Sequence, residues 1–101
     1  MTKNLISPAS GAKVANQFEV VEGNKTTFVS YTTKIAELEG DKITLDNNAL
    51  DYSQTTSKWL YHFLRTHFGG NFNRSIILKK IKTGKIATAN LNWTNKMNNF
   101  W

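Results

Sequence analysis

The chain is predicted to be an α+β protein: an antiparallel sheet of three to four strands packed by one amphipathic helix, with a second, short basic helix. Three observations predict this class. Residues 14–46 alternate segments rich in Val, Thr, Phe, Tyr and Ile with Gly-containing turns. Residues 54–68 place apolar side chains at helical spacing and end at Gly69-Gly70. Residues 74–82 begin after Asn73, a helix-capping residue type, and are followed by Gly84.

The meander starts at Val14 to Val21, where Val14, Phe18 and Val20 occupy alternate positions and Asn16 breaks the pattern. Glu22-Gly23-Asn24-Lys25 supplies turn chemistry, because Gly and Asn tolerate positive φ. Thr26 to Leu38 reads as one long strand, rich in residue types that suit a pleated, half-buried surface. Glu39-Gly40-Asp41-Lys42 is the second turn, and Ile43-Thr44-Leu45 a short third strand.

Asp46 to Ser53 leads into the helix at 54–68, whose N-terminus Ser53 or Thr55 can cap. Trp59, Leu60, Phe63, Leu64, His67 and Phe68 fall on one arc, and Lys58, Tyr61, His62 and Arg65 on the other. The apolar arc is expected to lie on the meander. Residues 74–82 fit a short helix or a strand. A strand would put Lys79 on one face with Ile77 and Ile81, so the helix is the better reading. Residues 85–93 then return as a strand through Ile86, Ala87, Ala89, Leu91 and Trp93, expected to extend the same sheet. The terminal Phe100-Trp101 is expected to fold back onto the core, the alternative being that it serves a partner.

Length and composition bound the class. The 101 residues suit a single domain, 1–101, and 40% hydrophobic with 20% charged residues is ordinary for a globular chain. There is no cysteine, hence no disulfide, thiolate metal site or cysteine nucleophile. Met1 to Ser10 has no apolar core of a signal peptide, and the longest aliphatic run is Ile76-Ile77-Leu78, far short of a span. A soluble, cytoplasmic protein without a membrane role is expected.

Charge is distributed unevenly. Glu19, Glu22, Glu37, Glu39, Asp41, Asp46 and Asp51 are all the acidic residues, so residues 52–101 contain none. Five lysines against seven carboxylates leave the first half at −2; eight cations give the second half +8, together the net +6. A cationic segment without internal carboxylates is solvated, matched by the other half, or matched by an anionic partner. Lys58, His62 and Arg65 are spaced i, i+4, i+7 beside Tyr61, and Arg74, Lys79, Lys80, Lys82 and Lys85 follow. Clustered cations neutralise phosphates, and interleaved aromatics such as Tyr61 and Trp93 can stack on bases. A solvated cationic face, or pairing with Glu37, Glu39 and Asp41, accounts for the same pattern and stays open here.

Other chemistries find little support. His62 and His67 are five apart, about 140° round a helix, so they do not converge on one metal ion. Asp46-Asn47-Asn48-Ala49-Leu50-Asp51 lacks the Gly and terminal Glu of a calcium loop and reads as an Asx-rich turn. No nucleophile elbow and no Gly-rich phosphate loop occurs. No catalytic residue, metal or cofactor is therefore expected, and the chain is read as no enzyme.

Ser7-Pro8-Ala9-Ser10-Gly11-Ala12-Lys13-Val14-Ala15-Asn16-Gln17-Phe18, Phe28-Val29-Ser30-Tyr31, Ile35-Ala36, Asp51-Tyr52-Ser53 and Thr55-Thr56-Ser57-Lys58 stand in order along the chain. In these segments it resembles a family of small uncharacterised bacteriophage proteins sharing P-x-[ST]-G-x-x-V-A-N-Q-F, then S-Y, then D-Y-S-x-T-T-[SG]-K. The resemblance covers roughly residues 5 to 91. It implies a phage or prophage source and action in the bacterial host cytoplasm, and it transfers no catalytic residue. Within the motif, Gly11 is expected to close a turn, and Asn16 and Gln17 to satisfy backbone groups. The hydroxyls at Ser53, Thr55, Thr56 and Ser57 surround a helix N-terminus, either as a redundant cap or, with Lys58, as an anion seat.

The expected function is a non-enzymatic phage accessory protein contacting nucleic acid, without strong sequence preference, through its basic second half. Lys58, Arg65, Arg74, Lys79, Lys80, Lys82 and Lys85 would hold phosphates, with His62 on the same face, and Tyr61 and Trp93 would stack. The alternatives are a protein-binding inhibitor of a host defence system, of anti-CRISPR or anti-restriction type and so part of host takeover, and a virion component. Partner identity, DNA against RNA, and oligomeric state are not legible in the residues.

Overall fold

A computed structural model describes residues 1–92. The elements are β1 (Thr2–Ile6), β2 (Lys13–Glu22), β3 (Lys25–Ser30), β4 (Thr33–Glu39), β5 (Lys42–Asp46), α1 (Gln54–Phe68), α2 (Arg74–Lys82) and β6 (Ile86–Ala89). The class is α+β, as expected. The sheet differs: among the described residues it has six strands in the order β1-β2-β3-β4-β5-β6 and is mixed. The first five pair antiparallel, and β6 pairs parallel to β5. A parallel neighbour needs a crossover, and α1 and α2 together form it.

Two departures account for the larger sheet. The expected single strand 26–38 is broken into β3 and β4 at Tyr31-Thr32, where Tyr31 takes φ 57°. Its N–H donates to the carbonyl of Asn16, itself at φ 63°, over 2.7 Å. Neither residue is glycine, so composition does not announce the turn. The turns read from Gly23 and Gly40 are present, at φ 61° and 59°. The second departure is β1, a short edge strand that carries only one buried side chain, Leu5, and so has little apolar pattern to read.

Both helices pack on one face of the sheet. Phe28 stacks on Phe63 of α1 at 5.4 Å, and Ile43, Leu45, Leu60, Leu64, Ile77 and Ile86 complete the core. Segment 74–82 is helical, capped by Asn73 Oδ1, which accepts from the Ile76 N–H at 2.9 Å. On β2 the face expected from alternation is reversed. Register pairs Glu19 with Phe28, so Gln17 and Glu19 point under the helices, at 1% and 6% exposure. Phe18 and Val20 lie half-buried on the opposite face, where Phe18 pairs across the strands with Val29. The expected strand 85–93 shortens to Ile86–Ala89. Its last position, Trp93, and the terminal Phe100-Trp101 lie outside the described residues.

Candidate functional site

Helical spacing puts Ser57, Lys58, Tyr61 and Arg65 on one stripe of α1. That stripe forms a wall of a cleft of about 580 Å³, closed by Leu50 and Asp51 from the preceding loop and by Arg74, the first residue of α2. Gly69 and Gly70, at φ 70° and 73°, reverse the chain between the helices. Phe72 is buried, and its carbonyl accepts from Arg65 Nη1 at 3.2 Å. Arg74 Nη1 donates to the Leu50 carbonyl at 2.9 Å, and its Nη2 lies 3.5 Å from Asp51 Oδ1. Both guanidiniums are thus held by backbone carbonyls, and each keeps further N–H donors from its five.

Of the residues read from the sequence, Lys58, Tyr61, Arg65 and Arg74 converge here. Lys58 and Arg65 also border a smaller cleft beside Ser7, Pro8 and Ala9, and Lys58 Nζ sits 4.9 Å from the centre of the Trp59 ring. Lys80 and Lys85 line a different cleft with Asp41 and Phe68. Lys79 and Lys82 are exposed on α2. His62 turns towards β1 instead of the cleft, its Nε2 3.1 Å from the Ile6 carbonyl. Trp93 lies outside the described residues.

The pairing of the cations is mostly left to solvent or a partner. Among the described residues of the second half, the ion pairs are Arg74 with Asp51 and His67 with Glu19. Glu37, offered above as an internal partner, pairs with Lys25 of its own half at 3.6 Å. Leu50 and Asp51, which complete the cleft, carried no sequence signal because their role depends on the return of α2 to the loop.

Two of the four hydroxyls at the start of α1, Ser53 and Thr56, are used internally, whereas Ser57 lines the cleft beside Lys58. Ser53 Oγ accepts from the Thr56 N–H at 3.0 Å, and Thr56 Oγ1 meets Ser53 Oγ at 3.1 Å and Ser30 Oγ at 3.2 Å. That is a cap tied to the sheet. In the motif's first segment the Gly11 N–H donates to the Ser7 carbonyl at 2.8 Å, closing the expected turn. Gln17 departs from expectation, because its Oε1 has no hydrogen-bond partner among the described residues.

The Asx-rich loop is organised by Asp46, which is buried. Its Oδ2 accepts from the Tyr52 hydroxyl at 2.7 Å and the Asn48 N–H at 3.1 Å. Its Oδ1 accepts from the Leu91 N–H at 3.0 Å and Asn92 Nδ2 at 3.3 Å. Tyr52 is 42% exposed as a whole, but partial desolvation of its hydroxyl, then the hydrogen bond and charge of Asp46, push the phenol up to about 12. Asp46 therefore joins the loop before α1 to the segment after β6. Among the described residues no group of three or more His, Asp or Glu is placed to hold a metal ion. No helix there is long and apolar enough to cross a membrane.

A family model described as a family of unknown function (DUF8033) matches residues 1–85. Neither curated proteins nor solved structures give a match.

Proposed function

Because the chain belongs to this family of unknown function, its activity has to be read from its own geometry, and we propose that it is a non-enzymatic phage accessory protein contacting nucleic acid. Contact is made through the basic second half, in the infected bacterial cell, without strong sequence preference. The observation that carries the reading is the convergence of Lys58, Arg65 and Arg74, beside Tyr61, on one cleft bordered by the single carboxylate of Asp51. Lys79 and Lys82, exposed on α2, add phosphate contacts outside it. Counterion release then supplies affinity independent of base identity. The phage assignment is supported by the motif segments from Ser7 to Lys58.

Fluorescence anisotropy against single- and double-stranded DNA and RNA, from about 50 to 200 mM salt, tests it. Five phosphate contacts predict a fall in affinity of roughly 500-fold over that range. Negligible, salt-independent binding to all four would sink the proposal and turn the search to host-protein partners.

A further inference from the structure

The form of the cleft at Lys58, Tyr61, Arg65 and Arg74 narrows the ligand further, on the premise of the nucleic-acid reading above. We propose that it takes one unstacked base with its adjoining phosphate, so that the protein prefers single strands to duplex.

The cations border a concavity, whereas a duplex presents its phosphates on a convex surface and keeps its bases stacked inside. The cleft is open on its solvent side, so a base that has left the stack can lie against Tyr61 while its phosphate meets the cations at the rim. The volume, about 580 Å³, falls among small-molecule sites, which run from roughly 300 to 1,000 Å³. Part of the wall is apolar, from Tyr61 and Leu50, both half-buried against the core. An aromatic wall beside cations is what base stacking with an adjacent phosphate requires. Three cations against one carboxylate suit a single phosphodiester better than a triphosphate. Lys79 and Lys82 stand exposed on α2 and favour neither form of nucleic acid.

The test compares an oligothymidylate of about twelve nucleotides, within the usual site size of single-strand binders, with a duplex of equal length at one salt concentration. The single strand should bind roughly tenfold tighter, as one stacked base provides. Tyr61→Leu, which keeps apolar volume against the core, should abolish that preference and leave duplex affinity unchanged. Tyr61→Phe should retain it, and Lys79→Glu with Lys82→Glu should weaken both ligands alike. Thermal melts of each variant establish that it folds. Equal affinity for the two ligands, or a preference that survives Tyr61→Leu, overturns the inference while leaving the basic-face reading intact. Binding to neither overturns both.

Discussion

His67, in the last turn of α1, donates from Nε2 to Oε1 of Glu19 on β2 across 2.5 Å, tying the helix to a carboxylate beneath it. Glu19 is the acidic side chain that the reversed face of β2 buries, and Lys3 of β1 reaches its Oε2 at 3.5 Å. The pair explains how a strand can turn a charged residue inward. A buried carboxylate is tolerated when hydrogen-bonded and paired. The Phe63 ring packs against His67 at 4.8 Å.

Removing His67 leaves Glu19 with the exposed Lys3 alone. His67→Ala should therefore destabilise the fold by about 1–3 kcal/mol, the cost of an unsatisfied buried acceptor. Urea denaturation measures it. In a double-mutant cycle with Glu19→Leu, the two losses should be strongly non-additive, and additivity would show that the contact contributes nothing.

Tyr52 predicts a loss of stability at alkaline pH. Its folded phenol titrates near 12, above the ordinary value of 10, because partial desolvation and Asp46 oppose the phenolate. The contribution is fully present below pH 10 and disappears as pH rises towards 12. Denaturation midpoints taken across pH 9 to about 12 should fall more steeply for the native chain than for Tyr52→Phe. Parallel curves would refute this, since lysine titration is common to both.

Tyr31 stands at φ 57° with 61% of its surface exposed. A left-handed conformation costs a non-glycine residue about 1–2 kcal/mol, and little burial offsets it here. Tyr31→Gly should stabilise the protein by roughly 0.5–1 kcal/mol after the added unfolded-state entropy. A lower melting temperature would mean that the ring is held by contacts that outweigh the strain.

Lys58→Glu isolates the cleft from the fold, since Lys58 is exposed and has no carboxylate partner among the described residues. Stability should change by less than about 0.5 kcal/mol. The salt slope of nucleic-acid binding should drop by about one contact or more. An unchanged slope would place the phosphates elsewhere, on the cleft at Lys80 and Lys85 or on Lys79 and Lys82.

Helix α1 was legible to the residue, because Ser53, the apolar spacing from Trp59 to Leu64 and Gly69 are local signals that act within a few residues. The turns at Gly23 and Gly40 were legible for the same reason: glycine permits the positive φ they adopt. Tyr31 was not, because its turn is held by the Asn16 carbonyl on another strand. Part of the candidate site was legible too. Periodicity placed Lys58, His62 and Arg65 on one stripe beside Tyr61, but it did not show His62 turning to β1, Arg74 opposite them, or Lys80 and Lys85 in a separate cleft.

Composition and spacing thus settled the α+β class, helix α1 and the cationic character of the second half, all properties of short segments or sums over residues, while leaving 74–82 between helix and strand. The count and direction of strands, the face that β2 buries and the closing of the cleft came from pairing between distant segments. β6 lies parallel to β5 because two helices carry the chain back, and Glu19 points inward because Phe28 is its neighbour in register. Such choices depend on backbone hydrogen bonds and partners remote in sequence, and no local periodicity contains them.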